Sequence, residues 1–239
     1  MPNISERLAQ VRQNVAVACN RVHRDPESVK IVVVTKTAPV EGIKEVVKAG
    51  FYDLGENRVQ HLKQVSGEIK EFLAENSEEE SLPADVKWHM IGHLQRNKVK
   101  PVLGISSMIH SVDTLRLAEE IENAAVKMEI RPSVLLQVNC SGEPQKYGVP
   151  VGAATHLAEQ FATMDNIKLA GLMTMAPLTR DKNEVRASFV RARELFEEIR
   201  GKGYGGKDFK HLSMGMSQDY EIAVEEGATI LRIGSAIFA

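Results

Sequence analysis

The sequence predicts an α/β fold: a single (β/α)8 barrel of the TIM type that occupies residues 1–239 as one domain. Strand-like apolar runs alternate with amphipathic segments along the whole chain. The β-branched run at 31–35 is continuously apolar, which is typical of a strand covered on both faces in a parallel sheet. Eight such units fit a chain of 239 residues. A doubly wound open sheet has the same alternation and is the competing architecture.

An extra amphipathic helix is predicted before the first strand, at 5–23, where Asn3 and Glu6 have capping-box spacing. The predicted strands are 29–35, 51–55, 86–91, 107–112, 133–139, 168–174, 211–214 and 229–234.

Helices are predicted between these strands, among them 114–128, 151–164 and 183–201. Capping chemistry supports several starts and ends; the signals are Pro39 and Gly50 for one helix, Asn57 for the next, and Asp113 and Pro150 for two later ones. The acidic stretch at 75–84 is predicted to be a surface loop.

The composition excludes several classes of partner. The formal net charge of -2 provides no general attraction for nucleic acid or for an anionic membrane. No apolar run approaches the length of a membrane span, and the N-terminus does not have the pattern of a signal peptide, so we expect a cytoplasmic protein. Cys19 and Cys140 are expected to be reduced and structural. The histidines have no metal-ligand spacing, so no metal site is predicted, and structural or solvent-exposed roles are expected for them.

Lys36 directly follows the run at 31–35, at the strand end that faces the ligand side of such a barrel. Desolvation at that position would favour the free amine, which attacks carbonyl groups. The residue is therefore a candidate Schiff-base lysine. Taken alone, the residue is better explained as a lysine that extends from a strand end into water.

The loops after the last two predicted strands have the chemistry of a phosphate site, because glycines allow close approach and hydroxyl groups donate hydrogen bonds. The residues concerned are Ser213, Gly215, Ser217, Arg232, Gly234 and Ser235. An amine and a phosphate site together fit a ligand with both a carbonyl and a phosphate. A phosphorylated sugar, as in a lysine-dependent aldolase, and pyridoxal 5'-phosphate both satisfy this description.

Five blocks of sequence carry a resemblance to a known family. They are VVTKT at 33–37, GENRVQ at 55–60, WHMIGHLQRNK at 88–98, LSMGMS at 212–217 and RIGSAIF at 232–238. In these blocks the chain resembles the pyridoxal phosphate homeostasis proteins of the YggS and PROSC type, which have an alanine-racemase-like barrel. The resemblance extends over essentially the whole chain.

The resemblance implies that pyridoxal 5'-phosphate (PLP) is the cofactor and that Lys36 forms its Schiff base. Asn57 matches a residue that lines the cofactor pocket, and Arg232 matches an arginine beside the cofactor, facing either the phosphate or the ring nitrogen. The remaining implied cofactor-binding residues belong to the blocks near the C-terminus and are Ser213, Met216, Ser217, Gly234 and Ser235. Lys146 matches a family lysine, although Pro144 and Gln145 beside it depart from the family's pattern.

The family resemblance also implies a role in PLP (vitamin B6) homeostasis and amino-acid balance, without an established reaction. Racemases of similar fold use a second domain to supply the opposing acid or base, and the chain is expected not to contain one. A cofactor-binding protein is therefore favoured over the alternative, a minimal PLP-dependent amino-acid racemase or decarboxylase. Possible partners are PLP-dependent apo-enzymes, and a monomer is expected.

Overall fold

Strands and helices alternate along the computed structural model, which describes residues 3–79 and 82–239. The strands are β1 (Lys30–Val34), β2 (Asp53–Glu56), β3 (Lys87–Met90), β4 (Ser106–Val112), β5 (Ser133–Asn139), β6 (Val149–Pro150), β7 (Lys168–Met173), β8 (His211–Ser213) and β9 (Ile230–Ile233). The helices are α1 (Ile4–Arg21), α2 (Val40–Lys48), α3 (Val59–Glu75), α4 (Val99–Leu103), α5 (Leu115–Met128), α6 (Val151–Ala162), α7 (Lys182–Gly201), α8 (Tyr220–Glu225) and α9 (Ser235–Phe238).

Eight of these strands close into a parallel barrel. Around the barrel they follow the order β1, β2, β3, β4, β5, β7, β8 and β9, and β9 pairs with β1 in register, with Val32 opposite Arg232. The strand β6 pairs only with the end of β5. The predicted closed barrel is therefore confirmed, and the open sheet is excluded because both of its edges are paired.

Apolar side chains fill the layer between the strands and the surrounding helices. Val33 and Leu54 belong to this layer and are fully buried. The Val32 side chain points the opposite way, into the barrel, because successive side chains alternate between the two faces of a strand. A Cβ atom on Gly55 would lie 2.9 Å from Cγ1 of Val32, so glycine gives this side chain its space inside the barrel.

The predicted N-terminal helix is confirmed as α1, and its first turn has the predicted capping box. The Asn3 side chain accepts a hydrogen bond from the Glu6 amide at 2.8 Å, and the Glu6 carboxylate accepts one from the Asn3 amide at 3.0 Å. Leu8, Val11 and Val15 form its buried face. The helix packs against α2, α8 and α9.

Two predicted helix N-caps were wrong by one residue, and a third, Pro150, was correct. Arg58 rather than Asn57 occupies the N-cap of α3, without a side-chain hydrogen bond. Thr114 rather than Asp113 caps α5, because its hydroxyl accepts the Leu117 amide hydrogen bond at 3.2 Å. Pro150 is the N-cap of α6.

Three further observations complete the comparison with the sequence. The helix α3 continues to Glu75, and residues 80–81 of the predicted acidic loop lie outside the described residues. No helix within residues 3–79 and 82–239 is long and apolar enough to cross a membrane. Cys19 and Cys140 are buried free thiols, and burial raises the pKa of both.

Candidate functional site

The carboxyl ends of four adjacent strands bring most of the predicted site residues to one end of the barrel. Lys36 follows β1 and Asn57 follows β2, which pair with Val34 opposite Gly55. On the other side of β1, the turn at 234–235 follows β9, and the loop at 214–219 follows β8. The topology therefore puts the Lys36 amine between the Asn57 side chain and two loops that contain glycine and serine, at 214–219 and 234–235, called the Gly/Ser loops below.

Lys36 is exposed, two residues beyond the end of β1. Within the described residues its side chain has no hydrogen bond or ion pair that would occupy the amine. The amine is therefore accessible to a ligand that enters from the carboxyl end of the barrel.

Asn57 is half-buried and lies close to the segment after β3. A Cβ atom on Gly92 would lie only 2.2 Å from the Asn57 carbonyl oxygen, so a larger residue than glycine would displace this segment. The Ile91 amide donates to the Glu56 carbonyl oxygen at 2.9 Å and fixes the same approach. These contacts fix the backbone position from which the Asn57 side chain extends.

Ser217 connects the two Gly/Ser loops. Its hydroxyl oxygen accepts hydrogen bonds from the Gly234 amide at 3.3 Å and from the Ala236 amide at 3.1 Å. Both lone pairs of the oxygen are then in use, so the Ser217 O–H is left to donate to a ligand. A Cβ atom on Gly234 would lie 3.1 Å from the Val34 carbonyl oxygen, which favours glycine in this turn.

Two other predicted residues lie on the surface of these loops. Met216 is 37% exposed, and its amide donates to the Asp219 carboxylate. Ser235 is exposed at the first turn of α9. Burial raises the pKa of Asp219. Met216 and Ser235 are therefore accessible from the same end of the barrel as Lys36.

Arg232 and Ser213 lie deeper, inside the barrel. The guanidinium donates to the Ser213 hydroxyl oxygen at 2.7 Å and to the Thr174 carbonyl oxygen at 2.9 Å. Burial lowers the pKa of Arg232 to about 10, which leaves it a cation at neutral pH. Ser213 is fully buried and also bonds to His110 at 3.0 Å, so its hydroxyl faces the barrel interior, unlike that of Ser217.

Two other polar side chains, those of Glu56 and Lys146, have partners of their own. Glu56 is fully buried, accepts a short hydrogen bond from Thr35, and lies 3.0 Å from Nδ1 of His61 on α3, on the helix side of the barrel wall. The Lys146 amine donates to the Ala176 carbonyl oxygen at 2.6 Å and pairs with Glu143. Neither group is free in this conformation.

The donor set suits an anionic ligand that also has a reactive carbonyl group. It combines an accessible amine, hydroxyl donors beside glycine turns, and a buried guanidinium cation, the kinds of group that bind phosphates. Among the described residues, no group of three or more His, Cys, Asp or Glu side chains could hold a metal ion.

Fold and site together define a barrel of the alanine racemase class. The family model for the alanine racemase N-terminal domain matches residues 7–239. The alanine racemase of Clostridium difficile 630 has the same fold, with a TM-score of 0.70 and 13% identity over 94% of this chain and 59% of that one. At this identity the likeness concerns the fold alone.

Closer relatives identify the family. The chain is 41% identical to the pyridoxal phosphate homeostasis protein of Aquifex aeolicus strain VF5, over 99% of this chain and 97% of that protein. It is also similar to PipY of Synechococcus elongatus PCC7942 with PLP bound, with a TM-score of 0.83 and 32% identity over 99% of this chain and 100% of that one. The chain therefore belongs to the family of pyridoxal phosphate homeostasis proteins.

Proposed function

We propose that this chain binds PLP as a Schiff base on Lys36 and acts in intracellular PLP homeostasis and amino-acid balance, without catalysing a reaction of its own. The observation that carries the proposal is the accessible Lys36 amine at the same barrel end as the Ser217 donor and the Gly234 turn. PLP supplies an aldehyde that bonds to an amine and a phosphate that accepts hydrogen bonds. PipY, a relative of similar length, has PLP bound.

The polar residues have separate roles in this proposal. Ser217, Gly234 and Ser235 would hold the phosphate through hydroxyl and backbone N–H groups. Asn57 and Met216 would line the ring, and Arg232 would lie beside the cofactor as a buried cation. Ser213 would act from below, through its hydrogen bond to Arg232.

The position of the inward-facing carboxylate of Asp53 favours a cofactor-binding role over catalysis. On the described barrel strands, the carboxylate that bonds to inward-facing residues is that of Asp53. Asp53 is the first residue of β2 and therefore lies at the opposite end of the barrel from Lys36. A carboxylate beside the ring nitrogen strengthens the ring as an electron sink, whereas a cation such as Arg232 weakens it. Relatives are also named for PLP homeostasis rather than for a reaction.

We extend the proposal to the setting of the protein. A cytoplasmic location fits the sequence, in which no helix of the described residues could span a membrane. We expect residues 1–239 to act as one domain and as a monomer, and PLP-dependent apo-enzymes to be the recipients of the cofactor.

Absorbance titration with PLP, followed by borohydride reduction, tests the proposal. Native protein should gain an absorbance band and a borohydride-stable adduct. Lys36→Ala and Lys36→Arg should lose the adduct, and the arginine variant separates loss of the amine's chemistry from loss of charge. Lys63→Ala, an exposed lysine on α3, is the matched control and should behave as the native protein. A native protein that forms no adduct contradicts the proposal.

The enzyme alternative is tested by solvent deuterium exchange at the α-carbon of amino acids in the presence of the PLP-loaded protein. The proposal predicts no exchange above that given by free PLP. Exchange that depends on Lys36 would establish the minimal racemase or decarboxylase instead.

A further inference from the structure

A chain of hydrogen bonds between inward-facing side chains crosses the barrel below the site. At its lower end, Asp53 accepts from the Lys30 amine at 2.8 Å and bonds to Nε2 of His89 at 2.9 Å. Nδ1 of His89 lies 2.9 Å from Nε2 of His110. These residues come from the first four strands, and both histidine rings are buried.

The upper half of the chain connects the histidines to the site. Nδ1 of His110 lies 3.0 Å from the Ser213 hydroxyl, which in turn accepts from Arg232 at 2.7 Å. The second guanidinium nitrogen is bonded to the Thr174 carbonyl oxygen. Arg232 therefore connects to Asp53, near the amino end of the barrel, through three intervening side chains.

The chemistry of the groups at the two ends determines the direction of every bond. Arg232 can only donate, so the Ser213 hydroxyl accepts from it and donates its own proton to Nδ1 of His110. His110 then carries its proton on Nε2 and donates it to Nδ1 of His89. The proton of His89 is consequently on Nε2, and its acceptor is Asp53, an ionised carboxylate.

Burial keeps both rings neutral. Burial lowers the pKa of His110 well below its ordinary value, and the neighbouring His89 and Arg232 lower it further. Burial also lowers the pKa of His89, although Asp53 opposes this effect. The other titratable groups that act on these rings are Lys30, Lys87 and His211.

The terminal arginine excludes one interpretation of this chain, a path for protons. A proton path needs a group at each end that gives up and takes back a proton, and a guanidinium stays protonated at neutral pH. The remaining role of the chain is to hold side chains in position, because each ring with a fixed tautomer allows only one arrangement of the next side chain.

We infer that His89 and His110 are positioning residues that, through Ser213, fix the orientation of the Arg232 guanidinium beneath the cofactor site. The inference rests on the proposed function in one respect, that the ligand beside Arg232 is PLP. Asp53 and Lys30 anchor the lower end of the chain.

Nitrogen NMR of the histidine rings tests the hydrogen-bond directions in the protein without added PLP. Both His89 and His110 should be neutral with the proton on Nε2 at about pH 7. A proton on Nδ1 of either ring, or a charged ring, overturns the inference. This result is independent of whether the protein binds PLP.

A double-mutant cycle tests whether His110 acts through Arg232. His110→Leu removes an acceptor and a donor at once, and we expect the dissociation constant for PLP to rise about tenfold, the equivalent of one buried hydrogen bond. His110→Gln retains an acceptor and a donor and should restore most of the affinity. In an Arg232→Leu background, His110→Leu should have no further effect.

Equal weakening in both backgrounds means that His110 supports the fold alone and overturns the inference. Ser213→Ala, which removes one hydroxyl, replaces His110→Leu in the cycle if the latter does not fold, with the same expectation. Failure of the native protein to bind PLP refutes the proposed function, whereas the NMR result still decides the hydrogen-bond directions.

Discussion

Lowering the pH from about 7 to about 5 should strongly destabilise this protein, because neutral histidines are buried inside its barrel. The unfolded chain binds a proton at each histidine below its ordinary pKa of 6.5. Folding then requires release of that proton from His89 and His110, whose pKa values are lowered by burial. The folded state therefore has its full stability above about pH 6.5 and loses stability as the pH falls below that value.

The magnitude follows from proton linkage. Each unit of pH below 6.5 costs about 1.4 kcal/mol for a ring that stays neutral in the folded state, so at about pH 5 the loss is at most about 2 kcal/mol per ring. His89 and His110 together give at most about 4 kcal/mol. Burial also lowers the pKa of His211, to about 4, but this side chain is partly exposed and contributes less.

The carboxylate in contact with His89, that of Asp53, contributes little in this pH range. Although burial alone would raise the pKa of Asp53, its hydrogen bonds to His89 and Lys30 lower it below the ordinary value of 3.8. The stability that Asp53 supplies is therefore lost only at more acidic pH than the assay covers.

Urea unfolding followed by circular dichroism at several pH values between about 5 and 7 measures the effect. His110→Gln should reduce the dependence of the unfolding free energy on pH. The control variant, His156→Gln, alters a ring on the surface of α6 that is 75% exposed and should leave the dependence unchanged. An unfolding free energy that is the same at both ends of the range refutes the assignment of neutral buried rings.

Two further predictions concern a strand and a loop. Gly171→Ala should lower the free energy of unfolding by about 3 kcal/mol or more, because φ is 149° and the new Cβ would lie 1.7 Å from the carbonyl oxygen of His211. Gly67→Ala on α3, where the new Cβ would meet no atom within 4 Å beyond the local helix backbone, should instead raise it by about 0.5–1 kcal/mol in the same urea assay. Ser217→Ala should weaken PLP binding about tenfold in an absorbance titration, because two loop amides lose their acceptor; unchanged affinity, as expected for the control Ser66→Ala, would contradict the phosphate assignment.

The sequence predicted the barrel because each strand carries local information. Continuous apolar runs such as 31–35 indicate strands covered on both faces, and the alternation with helices indicates parallel pairing. The short elements β6, α4, α8 and α9 were not predicted, since two to six residues are too few to establish a period. The N-cap of α5 was wrong by one residue because the adjacent residues Asp113 and Thr114 are both good caps.

The site was predictable to a different extent. Motifs near the ends of strands indicated Lys36, Ser217 and the Gly234 turn, because parallel strands bring these ends together. The chain through His89 and His110 was not predicted, since its members come from different strands and meet only when the barrel closes. Their common inward direction along the strands is the signal that the sequence contained.

The measurement that tests the account most directly is peptide mapping by mass spectrometry after PLP loading, borohydride reduction and protease digestion. We predict that the reduced cofactor is attached to the peptide that contains Lys36, and that this peptide is unmodified in Lys36→Arg. A protein without a stable adduct, or an adduct on another residue such as Lys146, would contradict the central claim that Lys36 holds the cofactor.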